Sequence, residues 1–428
     1  MAWTMTERMF TALQSIIGRV GALTVICYDA DDCEFNMNEA VSALFCTRNG
    51  ECPAPPRFAL DFGNQLYHCD TPITALLGSV TSLCIRNVFL NWYSLASAQY
   101  LRRLSIIKTS FPTQRIPIWI LYNVLAKCAG TLEVLELDHA VNWQDTNGAG
   151  FWAQPPVDLV ALKTLSLGYQ FVEEAVAVVF IIAIPNVDTL SLRDGARDLL
   201  LGFDNDSTPL LYLLARKKED FDFCRSLSLR NVVYKDVPVN DRERLASHLL
   251  RTVCAADNLK LTYDEDLGHN ARPFIAAMGV ANMAIGTEYL YAQGVDYRFL
   301  MQELVRCFVR LPGDDRPRDE AILEPAHVDI VHSDMADPSI RNEFMRYFVA
   351  SGLESALRVR AYMMDEVKAD AQWEPSTQWY EPAADERGVV DWDAYKASFD
   401  TDMSVDESME KVYGLNDVTQ LLWQSNLY

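Results

Sequence analysis

Three arginines recur one register beyond a repeated pair of apolar residues: Arg86, Arg193 and Arg230. The residues expected to point the same way on the same short segments are Cys84, Ser105, Glu136, Ser166, Ser191 and Ser228. A guanidinium offers a planar fork of donors that fits a carboxylate or a phosphorylated side chain. Small side chains beside it let a partner approach closely. The chemistry expected of this set is recognition. The plainer alternative is that each is a solvated position on a sheet face open to water.

Catalytic patterns are absent from the sequence. It contains no Gly-x-Gly-x-x-Gly, no phosphate-binding Gly-x-x-x-x-Gly-Lys, no Gly-x-Ser-x-Gly and no His-Glu-x-x-His. His68 and Cys69 are neighbours, but a nucleophile and its base normally meet through the fold, so a structural role is expected. Asp29-x-Asp31 begins like a calcium loop, yet Glu34 stands where that loop requires glycine. Cys33, Cys46, Cys52 and Cys69 include no Cys-x-x-Cys pair, which favours packing over zinc. No metal and no cofactor is expected. Asn205-Asp206-Ser207 is a glycosylation sequon, which matters only in a secreted chain. Ser404 and Ser408 lie among carboxylates and fit an acid-directed kinase.

The elements that position the recognition residues are written in a repeated phrase, Leu-x-x-Leu-x-Leu. It is cleanest at Leu132-Leu135-Leu137, Leu162-Leu165-Leu167 and Leu101-Leu104-Ile106. It returns at Val187-Leu190-Leu192, Phe223-Leu227-Leu229 and Val80-Leu83-Ile85. In a strand, alternate side chains point to opposite faces, so the last two apolar residues of each phrase share a core face. One such strand cannot bury its apolar edge alone, but a stack of them backed by helices can.

The segments between phrases read as helices: Trp119–Cys128, Val172–Ile182, Tyr297–Arg310 and Ile340–Val349. Pro185-Asn186 stops the second before the next strand. Weaker copies of the strand are expected at Val20-Leu23-Val25 and Leu60-Phe62. Others are expected at Leu259-Leu261-Tyr263, Met283-Ile285, Val328-Ile330 and Leu357-Val359. A helix carrying Met9, Phe10, Leu13, Ile16 and Ile17 on one face precedes the first. The expected fold is therefore α/β, an irregular leucine-rich-repeat solenoid of alternating short parallel strands and helices. It covers residues 1–364 and is best marked over 80–264. An acidic C-terminal extension follows at 365–428.

A 428-residue chain with 50% apolar residues can bury a large core. The chain carries a formal charge of −22. Residues 365–428 hold 15 acidic and 4 basic side chains, so that segment alone contributes −11. Such a charge repels phosphate backbones and anionic lipid, which argues against nucleic acid and membrane as partners. Trp373, Trp379, Tyr380, Trp392 and Trp423 interrupt the acidic segment, so it reads either as a solubilising extension or as a partner-binding segment. No stretch reads as a secretory signal, and no apolar run has the length of a spanning helix. The ten cysteines are then expected to be free thiols in a cytoplasmic or nuclear protein.

The blocks Thr81–Val88, Thr131–Leu137, Pro185–Leu192 and Ser226–Val232 resemble the irregular leucine-rich repeats of fungal F-box proteins. The resemblance covers roughly residues 5–260 and extends less closely to 364. It implies a target-recognition module that holds another protein. In that family an N-terminal F-box docks to the Skp-type linker of a cullin–RING ubiquitin ligase. The F-box, with its Leu-Pro start, is not visible in this chain. The asparagine of regular repeats is replaced by Ala140, Gln170, Gly195 and Val232. The alternatives are a ligase-independent leucine-rich-repeat scaffold and an enzyme with a dispersed site. The partner expected is a protein target, with the linker and cullin added only if an F-box lies upstream.

Overall fold

The computed structural model describes residues 21–26, 46–47, 50–51, 56–61, 67–69, 77–86, 88–90, 92–107, 115–148, 150–196, 205–218, 224–235, 256–280, 288–308, 326–350 and 357–362. The expected helix around Met9–Ile17, the strand at Met283-Ile285 and the segment 365–428 lie outside them.

The chain is mixed α/β and is built on one large parallel sheet. Its strands are β1 (Ala22–Ile26), β2 (Arg57–Asp61), β3 (Ser82–Arg86), β4 (Arg103–Ile107), β5 (Val134–Asp138) and β6 (Thr164–Tyr169). They continue as β7 (Thr189–Asp194), β8 (Ser226–Arg230), β9 (Asn258–Thr262), β10 (Tyr289–Gln293), β11 (Ala326–Val331) and β12 (Leu357–Tyr362). All twelve lie in chain order, each parallel to the one before. The helices are α1 (Ile118–Cys128), α2 (Val172–Ile181), α3 (Thr208–Lys218), α4 (Arg272–Val280), α5 (Tyr297–Phe308) and α6 (Pro338–Ala350).

The register follows from the leucine spacing. Leu83, Leu104, Leu135, Leu165, Leu190, Leu227 and Leu259 are successive Cα partners, and so are Ile85, Ile106, Leu137, Leu167, Leu192, Leu229 and Leu261. All fourteen are buried. A slip of one residue would turn both columns to water, so burial fixes the pairing strongly. Ile120, Leu121, Val124 and Leu125 of α1 cover one part of this layer, and Val176, Val178 and Val179 of α2 join the same core.

The start of each strand is tied by a repeated backbone device. The carbonyl of Thr81 accepts from the amides of Arg102 and Arg103, and that of Arg102 from Glu133 and Val134. Glu133 then serves Lys163 and Thr164, and Lys163 serves Asp188 and Thr189. Just past the strand ends, His139 and Asn231 adopt left-handed backbone at φ 52° and 54°. Their amides donate to the next strand's chain at Gly168 and Thr262.

Two parts of the layout were not expected. The strand that pairs with β9 is Tyr289–Gln293. Helices α3 and α4 were not among the expected ones. Cys128 and Cys224 are buried free thiols, and Cys84 is half-buried on the outer face.

Candidate binding face

The side chains between the buried columns form the outer face of the sheet. Along β6, β7 and β8 the positions alternate between buried and more accessible, which places Ser166, Ser191 and Ser228 in one unbroken row of Cα partners. Arg193 and Arg230 are partners in the row beside it. Arg86 is exposed on β3, four strand spacings from Arg193, about 19 Å away. The three arginines therefore do not form one cluster; the sheet brings together only the latter two.

Ser105 is a correction. It shares the outward register but is 0% exposed. Its hydroxyl donates to Glu136 Oε2 at 2.8 Å, and Arg103 reaches the same carboxylate oxygen at 3.5 Å. Ser105 thus lies beneath a polar contact to the partly exposed Glu136 between β4 and β5, and is unavailable to a partner. Arg193 is likewise engaged: its Nη1 lies 3.0 Å from Asp138 Oδ2, two strands away. Gly168 stands between them, and a Cβ there would fall 2.0 Å from Asp138 Oδ1. The pair exists because that position has no side chain.

Between Asp138 and the tyrosines of β10 the outer face has an unusual composition. The first row reads Thr164, Thr189, Ser226, Asn258; the second Ser166, Ser191, Ser228, Lys260; the third Gly168, Arg193, Arg230, Thr262. These twelve positions hold hydroxyls, one amide and three cations, and no carboxylate. Arg230 has no carboxylate partner among the described residues. Lys260 lies over the Tyr291 ring, 5.0 Å from its centroid. Burial of its stem, with the Arg230 cation beside it, lowers the Lys260 ammonium from the usual lysine range. Donors, cations and small side chains over an apolar floor suit an anionic segment of polypeptide.

Lys260, Asn258 and Thr262 were missing from the expected set. The signal was present in Asn258-Leu259-Lys260-Leu261-Thr262, whose alternation marks the same outward positions. Beyond Lys260 the face closes: Tyr289 donates to Asp329 Oδ2 at 2.7 Å, and Asp329 is buried.

Behind the sheet a different polar network is sealed off. The Arg115 guanidinium contacts the Glu174 carboxylate and donates to Gln170 Oε1, and all three residues are buried. Burial raises the Glu174 carboxyl to about 7, against the pull of Arg115. Asn205 of the sequon is also buried, its amide donating to the Gln170 carbonyl at 2.7 Å and to Asp194 Oδ1 at 2.9 Å. That side chain is a structural clip between segments. On the helical side, Trp119, Tyr122 and Phe151 line a hollow of about 410 Å³.

Among the described residues no group of His, Cys, Asp and Glu is placed to hold a metal ion, and no helix is long and apolar enough to cross a membrane. Comparison with known proteins finds no matching family model, curated protein or solved structure.

Proposed function

We propose that this chain is a protein-recognition module: a leucine-rich-repeat-like solenoid whose outer strand face holds a segment of another protein. The observation that carries the reading is the acid-free strip across β6–β9, set on twelve parallel strands in chain order. Stacked repeats of this kind present extended surfaces rather than deep pockets. Ser166, Ser191 and Ser228 give close approach, while Arg230 and Lys260 supply charge.

The role proposed for the module is target recognition of the F-box type, based on the sequence resemblance of its repeats. A ligase-independent scaffold is the second form of the same idea. Catalysis is the less favoured class, since the Arg115–Glu174 cluster and the Asp329 carboxylate are buried.

Affinity purification of the tagged chain from its native cells, with mass spectrometry of what accompanies it, tests the proposal. Recovery of a Skp-type linker and a cullin supports the ligase-receptor form. Enrichment of some other protein without them supports the scaffold. A chain that enriches nothing over an untagged control contradicts both.

A further inference from the structure

We propose that the acid-free strip across β6–β9 docks this chain's own acidic segment, residues 365–428. The inference rests on reading the strand face as a recognition surface and names an occupant for it.

The strip is an exception to the charge of the molecule. The chain has 59 acidic and 37 basic side chains, yet twelve adjoining outward positions contain no carboxylate. Several cations nearby do have acidic partners: Arg103 with Glu136, Arg193 with Asp138, Lys163 with Asp188. Arg230 and Lys260 have none among the described residues. Burial of the Lys260 stem, and after it the Arg230 cation alongside, lowers the Lys260 ammonium from the usual lysine range.

The occupant is complementary. Residues 365–428 carry 15 acidic and 4 basic side chains, interleaved with Trp373, Trp379 and Trp392. Carboxylates suit Arg230, Lys260 and the serine hydroxyls.

Reach is sufficient. Lys260 on β9 lies three strand spacings from β12, about 14 Å. An extended chain covers about 3.3–3.6 Å per residue, so roughly five residues past Tyr362 bridge the gap. Asp370 and the carboxylates after it lie beyond that distance along the sequence and are within reach. Covalent attachment supplies an effective concentration on the order of millimolar. A foreign acidic segment would lack that advantage and would approach a body that is itself negative, at −22 − (−11) = −11 outside the tail.

The test uses the full chain and a zero-length carbodiimide, which condenses a carboxylate with a lysine amine into an amide. Equal amounts of unlabelled and nitrogen-15 chain are mixed, and the joined peptides are identified by mass spectrometry. The expected result is Lys260 joined to Asp or Glu of 365–428 within one isotopic chain, at higher yield than the exposed Lys127. The yield should fall several-fold in Arg230→Gln and at about 1 M salt, where the screening length is about 3 Å. Coupling of Lys260 no better than that of Lys127 would overturn the proposal. So would coupling only between isotopically different chains, or coupling indifferent to salt. If partner capture depends on the strand face while Lys260 never joins the tail, recognition stands and tail docking fails.

Discussion

Arg193 reaches Asp138 across the full width of an intervening strand, and it does so over Gly168. The Nη1–Oδ2 distance is 3.0 Å, with Arg193 on β7, Gly168 on β6 and Asp138 on β5 in one register. A Cβ at position 168 would lie 2.0 Å from Asp138 Oδ1 and 3.2 Å from its Cα. The glycine is therefore the condition for the ion pair, and the pair bounds the acid-free strip on its N-terminal side.

Gly168→Ala should force Asp138 to turn away and destabilise the fold by about 1–3 kcal/mol, the usual range for a lost, partly buried polar contact plus crowding. In an Arg193→Gln background the same change should cost less, because the pair is already gone. Chemical denaturation of the two single variants and the double variant measures this. Strictly additive effects would separate the glycine from the ion pair.

Glu174 gives the protein a pH dependence of known sign. Its folded-state carboxyl is raised from the ordinary 4.5 to about 7, by burial first, with Arg115 opposing. The folded chain thus holds this proton where the unfolded chain has released it. The contribution of this group is most favourable below about pH 4.5 and declines as pH rises toward 7. Glu174→Gln should flatten that decline in a series of denaturation curves taken between these limits. An unchanged slope would assign the dependence elsewhere.

The two faces of one strand should respond very differently to truncation. Leu192 is 0% exposed, and Leu192→Ala should cost about 2–5 kcal/mol. Ser191→Ala, one residue earlier and on the outer face, should stay within about 0.5 kcal/mol. Comparable losses at both would contradict an outer face whose serines serve contact rather than packing.

Much of this arrangement was legible in the leucine phrase. The six best-marked strands appear where Leu83, Leu104, Leu135, Leu165, Leu190 and Leu227 placed them, because two buried leucines per strand leave only one register. Strand β10 was missed because its outward residues are tyrosines and one inward residue is Ala292, which blurs the usual apolar contrast. Helix α3 ends in Arg216-Lys217-Lys218 and helix α4 begins with Arg272-Pro273, so neither carries an apolar run as long as the one that marks α2. The burial of Ser105 was invisible for another reason. It depends on Glu136 and Arg103, and the contact with Glu136 crosses between strands 31 residues apart in sequence.

Asn205 offers a check on the segment between β7 and α3. Its buried amide clips the Gln170 carbonyl to Asp194, so the sequon should stay unmodified when the folded chain meets a glycosylating enzyme. Asn205→Ala should cost about 1–3 kcal/mol by leaving buried acceptors short of a donor. Intact-mass measurement and denaturation test the two halves. A glycan on Asn205 would show that this clip opens.

The most direct test of recognition by the strand face replaces its smallest side chains with a large one. Ser191→Tyr and Ser228→Tyr together occupy the middle of the strip without touching the buried leucines. The partner set captured from native cells by this variant should lose the proteins that the unaltered chain enriches, with thermal stability retained. The same partners recovered in the same amounts by both chains would contradict recognition through this face.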